Sequence, residues 1–348
     1  MEVLLRRRLT TLLLPALLVV AALPGRLAAT GLPYGDSPTT EEFAVPQLFA
    51  SGVVSGPAND GSPAFSPDGN TIFFTRTNGN WGAILESHKV GGQWTKPVLA
   101  PFSGEWADSS MGISPDGSYL IFSSRRPATP PAPGMDRKNM HILANLWRVD
   151  RVGQGWSKPV HLPDTVNIGH SIWKPSIAAN GNLYFVSIDA KGGKRLYSSE
   201  YKNGTYLQAQ PLSFSDGTTL DVDPEIAPDE SFLIFCSAGR LPGDSLDHLF
   251  IVARKPEGWG AVVPIRYAGE SQPAYSTDDE PHLGPDRRTI YFSSDRPFPV
   301  AYPRTPEQAR QDFMRMDDEG WFSGYSNVWY LPLDTYLEAA RNAAKGTS

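Results

Sequence analysis

Apolar and polar positions alternate along this chain in short runs, and the runs recur. The segments SPAFSPDGNTIFFT (62–75), SSMGISPDGSYLIFSS (109–124), KPSIAANGNLYFVS (174–187), DPEIAPDESFLIFCS (223–237) and EPHLGPDRRTIYFSS (280–294) each set a tight turn before an apolar stretch rich in β-branched and aromatic residues. In SPDG the proline presets the second position of a type I turn and glycine follows at the fourth, which spells strand, turn, strand. Asn180-Gly181 serves in the third segment, while Glu230 and Arg287 replace the glycine in the fourth and fifth, where looser turns are expected. The turn centres Pro67, Pro115, Ala179, Pro228 and Pro285 lie 48, 64, 49 and 57 residues apart. That is the length of a four-stranded sheet with its loops, set out as an array.

A third strand in each repeat is marked by an apolar or aromatic pair: Ile84-Leu85, Leu146-Trp147, Leu196-Tyr197, Leu249-Phe250 and Val328-Trp329. A fourth joins an aromatic residue to a proline, in Trp94 with Pro97, Trp156 with Pro159, Tyr206 with Pro211 and Trp259 with Pro264. Proline lacks an amide donor, so this strand belongs on the sheet edge. The fifth repeat has no such segment after Leu333, but Phe43 and Pro46 supply one near the N-terminus. The expected fold is all-β, a five-bladed β-propeller of four-stranded antiparallel blades over residues 43–335, closed by an N-terminal strand that completes the last blade and removes two open edges. Residues 333–344 read as a short outer helix opening a C-terminal tail, 336–348.

The first residues change the picture of where such a ring would work. Arg6, Arg7 and Arg8 precede an apolar run from Leu12 to Leu23, followed by Leu27-Ala28-Ala29, the order of an export signal. The run is shorter than the ~20 residues a bilayer span needs. Residues 1–29 are therefore expected to be a cleaved leader and 30–42 a linker. Removing 1–29 takes four arginines and one glutamate from 31 basic and 37 acidic residues, leaving a net charge of −9. That balance argues against a nucleic-acid partner. The single cysteine, Cys236, lies in an apolar run and reads as a packed strand residue.

The SPDGxxLYFSSxR theme, the acidic residue ahead of each repeat's x-P and the W-x-x-P fourth strand resemble the WD40-like (PD40) propeller repeats of TolB-type exported proteins over residues 43–333. A monomer without a membrane span once the leader is cut is expected; the resemblance implies a periplasmic or secreted address. It also implies one of several uses for the ring: docking platform, carbohydrate-active enzyme or noncatalytic domain. Five repeats stand here where TolB itself has six.

Chemistry in such a ring is expected at the channel mouth, where the loops entering each inner strand meet those leaving each second strand. Asp60, Asp108, Asp221 and Asp278 recur three residues before the repeat's Pro or Met, with Ile172 breaking the series. They are expected to ring the entrance, either as ligands for a partner or as acceptors that tie the frame together. Arg76, Arg125, Arg126, Arg240 and Arg296 recur after the second strand, positioned to grip those carboxylates between blades or to capture an anion. Asp223, Glu225, Asp279, Glu280 and His282 are expected to add to the same face, and of the residues that do not recur, Asp223, Glu225, Glu280 and His282 with Trp173 and Lys174 are the better candidates for specific binding. Insertions at 127–144 and 297–326 are expected to overhang the mouth. The second contains a helix capped by Thr305 and Gln308, with Ala309, Phe313 and Met316 on one face and Trp321 nearby.

No G-x-S-x-G, H-E-x-x-H or twelve-residue calcium loop occurs. No cofactor is predicted, although oxygen ligands converging at the mouth suit a weak divalent cation. The leading expectation is a binding or scaffold module for an envelope or extracellular protein or a glycan. The alternative is a carbohydrate-active enzyme using mouth carboxylates as acid and as base or nucleophile.

Overall fold

The computed structural model describes residues 44–79, 81–129, 143–169, 171–189, 191–243, 245–267, 276–297, 303–319 and 325–346. The residues expected to form a leader and linker and Phe43 lie outside them, as do most of the first insertion and Trp321.

Five small antiparallel sheets are built as the repeats predict. Strand β1 (Gln47–Leu48) precedes blade one, which consists of β2 (Asn59–Phe65), β3 (Thr71–Thr77), β4 (Gly82–Val90), β5 (Gln93–Trp94) and β6 (Val98–Leu99). Blade two holds β7 (Asp108–Ile113), β8 (Tyr119–Ser124), β9 (Asn145–Val152), β10 (Gly155–Trp156) and β11 (Val160–His161). Blade three holds β12 (Ile172–Ile177), β13 (Leu183–Ile188) and β14 (Lys194–Ser199), a small hairpin of β15 (Tyr201–Lys202) and β16 (Thr205–Tyr206), and the edge strand β17 (Gln210–Pro211). Blade four is β18 (Leu220–Ile226), β19 (Phe232–Ala238), β20 (His248–Lys255) and β21 (Gly258–Pro264). Blade five has β22 (Asp278–Leu283), β23 (Thr289–Ser294) and β24 (Asn327–Pro332), between which lies helix α1 (Pro306–Glu319). Helix α2 (Asp334–Lys345) follows.

The inner strands β2, β7, β12, β18 and β22 each touch the next, and β22 returns to β2. The ring is sealed by β1, which adds to β24 with Gln47 opposite Tyr330 and Leu48 opposite Trp329. Phe49 then packs edge-on against Phe65 at 5.5 Å, Trp94 at 5.8 Å and Tyr291 at 5.2 Å, joining blades one and five. The Ser55 hydroxyl donates to the Val328 carbonyl and accepts from the Val328 amide, so the seam is hydrogen-bonded as well as packed.

The edge prolines act as expected, with one refinement. In blades one and two the outer strand is split in two, with Pro97 and Pro159 in the gaps, because a residue without an amide donor cannot continue the ladder. The expectation of looser turns at Glu230 and Arg287 is corrected. Both take the left-handed conformation that Gly69 takes, at φ 58° and 57° against 70°, and close the same turn hydrogen bond. Asp229 and Asp286 accept amides two residues ahead and hold these turns in place. Glu230 also accepts hydrogen bonds from Asn180, Asn182 and Tyr184, so it clamps blade four to blade three.

Helix α1 has the expected cap: the Gln308 amide donates to Thr305 Oγ1 and the Thr305 amide to Gln308 Oε1. Its expected apolar face does not pack inward, since Ala309 and Phe313 are exposed, Phe313 by 67%. Helix α2 lies along β20 and β21 with Tyr336 and Ala340 buried, covering the edge of blade four.

Candidate functional site

The recurring aspartates and arginines meet within blades, not between them as expected. Asp60 is held by Arg76 at 2.7 Å, Asp108 by Arg126 at 3.1 Å, Asp221 by Arg240 at 2.7 Å and Asp278 by Arg296 at 2.5 Å. In each pair the aspartate lies on the inner strand and the arginine on or just after the second strand of the same blade. Arg126 and Arg240 reach further, to the carbonyls of Phe102 and Phe214 in the incoming loops. The guanidinium groups of Arg126, Arg240 and Arg296 lie over aromatic rings of the blade core, 5.4 Å from Trp147, 5.2 Å from Phe235 and 5.3 Å from Trp329 respectively. All four carboxylates are buried, and Ile172, which breaks the series, is buried in the equivalent place. Burial pushes the Asp60 carboxyl up while Arg76 pulls it back down. These eight residues frame the mouth.

The residues that do not recur converge on the channel axis. In all five blades the inner strand carries a bulge, and the residue inside it is left-handed: Ser62 (φ 50°), Ser110 (43°), Lys174 (51°), Asp223 (54°) and Glu280 (49°). For non-glycine residues this conformation is uncommon, and five-fold repetition makes it part of the design. Hydrogen bonds between blades that are not ring neighbours show that the side chains meet at the centre. Lys174 Nζ of blade three reaches Ser62 Oγ of blade one at 3.3 Å, and Ser110 Oγ of blade two donates to Glu280 of blade five at 3.1 Å. Asp223 accepts from the Glu280 amide and the Cys236 thiol. The channel therefore has a waist of two hydroxyls, one ammonium and two carboxylates.

Gly61 makes room for this waist: a Cβ there would come within 2.7 Å of the Glu280 carboxylate and 2.6 Å of Ser293 Oγ. Lys174 is fully buried. Burial first, then the neighbouring Glu280 carboxylate, push Asp223 up to about 6 against the pull of Lys174. Burial and the carboxylates of Glu280 and Asp223 hold Asp279 well above its ordinary value.

Above the waist opens a cavity of about 600 Å³. Its floor includes Gly61, Ser110, Asp279 and Glu280, its wall Trp173, Thr75 and Ser123, and its rim Trp81 and Arg125. Trp81 is held at the end of a hairpin by Asn78 and Thr77 and remains 45% exposed. Asp279 Oδ1 is buried in this floor without a hydrogen-bond partner. Both insertions return to the rim, at Ala144 and Ser326, and the Ser326 carbonyl accepts the Asp60 amide.

Glu225 and His282 are not on this face, which corrects the expectation that they share it with Asp223. They line a second cavity of about 90 Å³ at the opposite end, framed by the turn prolines Pro67, Pro115, Pro228 and Pro285. Glu225 lies 3.2 Å from His282 Nδ1 and accepts from Ser176 Oγ at 2.8 Å and the Leu283 amide at 2.9 Å. Burial opposes its charge, yet His282 and Lys174 hold it below the ordinary glutamate range.

Sequence reasoning singled out Lys174, Asp223 and Glu280 but placed them at the rim, and it missed Ser62, Ser110 and Trp81. The available signal was positional. The residue just before the repeat's Pro or Met varies as Ser, Ser, Lys, Asp and Glu inside a constant frame.

No protein-family model matches the chain. No curated protein matches it either. Solved structures similar to it include a putative TolB from Agrobacterium tumefaciens, at 17% identity over 68% of this chain and 70% of that one with a TM-score of 0.45. TolB from Acinetobacter baumannii aligns at 13% identity over 85% of this chain and 65% of that one, just under two thirds of its length, with a TM-score of 0.42. A glycosyl hydrolase from Bacteroides ovatus aligns at 9% identity over 85% and 96% of the two chains with a TM-score of 0.45. At such identities these neighbours lend no chemistry to the cavity. No helix among the described residues is long and apolar enough to cross a membrane.

Proposed function

We propose that this protein is an exported binding module whose channel-mouth cavity holds the end of a glycan, free or carried on an envelope protein. The observation that carries this reading is the blind cavity. Its floor is closed by the waist, two indoles stand on its wall and rim, and hydroxyl side chains line much of the remainder. Indole faces stack on sugar rings, and Ser and Thr hydroxyls both donate and accept, as sugar hydroxyls require. The volume falls in the range of sites that enclose small ligands. A blind end suits a chain terminus better than a strand passing through. The rim aspartates are already neutralised by arginines, which leaves Asp279 and Glu280 to give specificity.

Immobilised glycans probed with the leaderless protein test this. A defined subset should be retained by the parent and lost by Trp81→Ala, whereas identical retention by both, or none by the parent, would overturn the assignment.

One observation favours catalysis as a second reading: Asp279, its carboxyl pushed well above the ordinary range by burial and neighbouring acids, lies beside Glu280 on one floor, and a pair of carboxyl groups with one raised is what glycoside hydrolysis uses. If so, a bound oligosaccharide is shortened by the parent and left intact by both Asp279→Asn and Glu280→Gln. Recovery of uncleaved oligosaccharide from the parent would leave the binding reading alone.

A further inference from the structure

Resting on the reading of this cavity as a glycan site, we propose that the bound sugar carries a carboxylate, as a hexuronic acid does, received at the rim by Arg125. The other arginines of the recurring series are engaged, since Arg76, Arg126, Arg240 and Arg296 hold Asp60, Asp108, Asp221 and Asp278. Arg125 joins the frame through its backbone alone, its amide donating to the Ala107 carbonyl. The residue is exposed, and its guanidinium has neither an ion pair nor a hydrogen bond among the described residues. Among the described residues that line the cavity it is the one cation.

The second observation is that the frame does not require an arginine at this place. Blades two and five share a register, with Asp108 opposite Ser124 and Asp278 opposite Ser294, so Asp295 is the counterpart of Arg125. The Asp295 carboxylate accepts the Thr277 amide and ties its own loop. Arg125 reverses the charge and makes no such bond.

The third observation is a polarity from rim to floor. Of the acids that line the cavity, Asp108 is neutralised by Arg126. Burial and then the neighbouring acids push the Asp279 carboxyl well above its ordinary range, and its Oδ1 is out of a ligand's reach. Glu280 remains on the floor as an acceptor, with Ser110 and Ser293 already donating to it. A hexuronic acid carries its carboxylate on one edge of the ring and hydroxyl donors on the opposite edge. With the carboxylate in the two-pronged fork of Arg125, the hydroxyls point toward Ser110 and Glu280 and a ring face is offered to Trp81, which shares the rim.

Calorimetry on the leaderless full chain at neutral pH and low salt tests the inference. The probes are tetramers of galacturonic acid and of mannuronic acid, each as the free acid and as the methyl ester, which lacks the charge. For the sugar that binds better, the acid should bind at least about tenfold tighter than its ester, the size expected for one charge-assisted contact in a partly enclosed site. Arg125→Gln should melt with the parent, erase that preference and leave the ester within about twofold of its parent affinity. Equal affinity for acid and ester in the parent, or a preference that survives Arg125→Gln, overturns the inference and leaves the glycan reading in place. If no tetramer binds but tetra-alanine with a free C-terminus does, in an Arg125-dependent manner, the carboxylate inference holds and the glycan reading falls. If none of these probes binds, the inference falls, and retention of neutral glycans by the parent decides the glycan reading separately.

Discussion

An arginine that neutralises a buried aspartate and lies over the blade's aromatic ring cannot be shortened to alanine without stranding a charge. Arg240 and Asp221 are 10% and 0% exposed at their side chains, so Arg240→Ala should cost about 3–5 kcal/mol in chemical denaturation. Arg76→Ala should cost less, because the Arg76 side chain is 40% exposed and water can reach the carboxylate it leaves behind. Equal losses at the two sites would show that these pairs are not solvent-graded ion pairs. Asp223 gives a pH-dependent counterpart. Its carboxyl is pushed up to about 6 in the fold, against about 3.9 for an unfolded aspartate, so the folded state binds the proton more tightly. Its contribution to stability is full below about pH 4 and is lost as pH rises through about 6, a span worth about 3 kcal/mol. Stability curves of the parent and Asp223→Asn should therefore diverge across that window, and parallel curves would contradict the placement of Asp223. The Asp and Arg series could be read from the sequence because it recurs. The waist could not, because a residue before proline is expected to be extended, and the bulge that turns it left-handed is imposed by the meeting of five inner strands.

Elements were legible where local rules and repetition agreed. The turns, the edge prolines and the capping box of α1 each follow from residue chemistry within a few positions, and the structure forms them. Closure by β1 depends on a contact between distant parts of the chain, yet counting strands revealed it, because one blade was short of an edge and an unclaimed strand preceded the first. The outward face of Phe313 was not legible, since helical periodicity says which residues share a side and nothing about what lies opposite. Deleting residues 44–52 should remove β1, the Phe49 aromatic contacts and the support of the Val328 edge together, lowering stability by at least about 3 kcal/mol. A truncated protein melting with the parent would show that the ring holds without its seam.

At the scale of the whole molecule, five repeats with nearly the same frame generate a channel that is not symmetric. The frame residues recur and are paired off, while the axis carries a different residue from each blade and so acquires a chemistry that no single repeat encodes. The waist divides the channel into a larger cavity lined by two indoles and several hydroxyls and a small opposite cavity closed around Glu225 and His282. That division makes the larger mouth a place to hold something. The most direct measurement is a crystal structure of the protein with the oligosaccharide it binds best. The account predicts a sugar ring in the 600 Å³ cavity, against an indole of Trp81 or Trp173. Ligand density on an outer blade edge or in the opposite cavity, with the large cavity holding water alone, would contradict it.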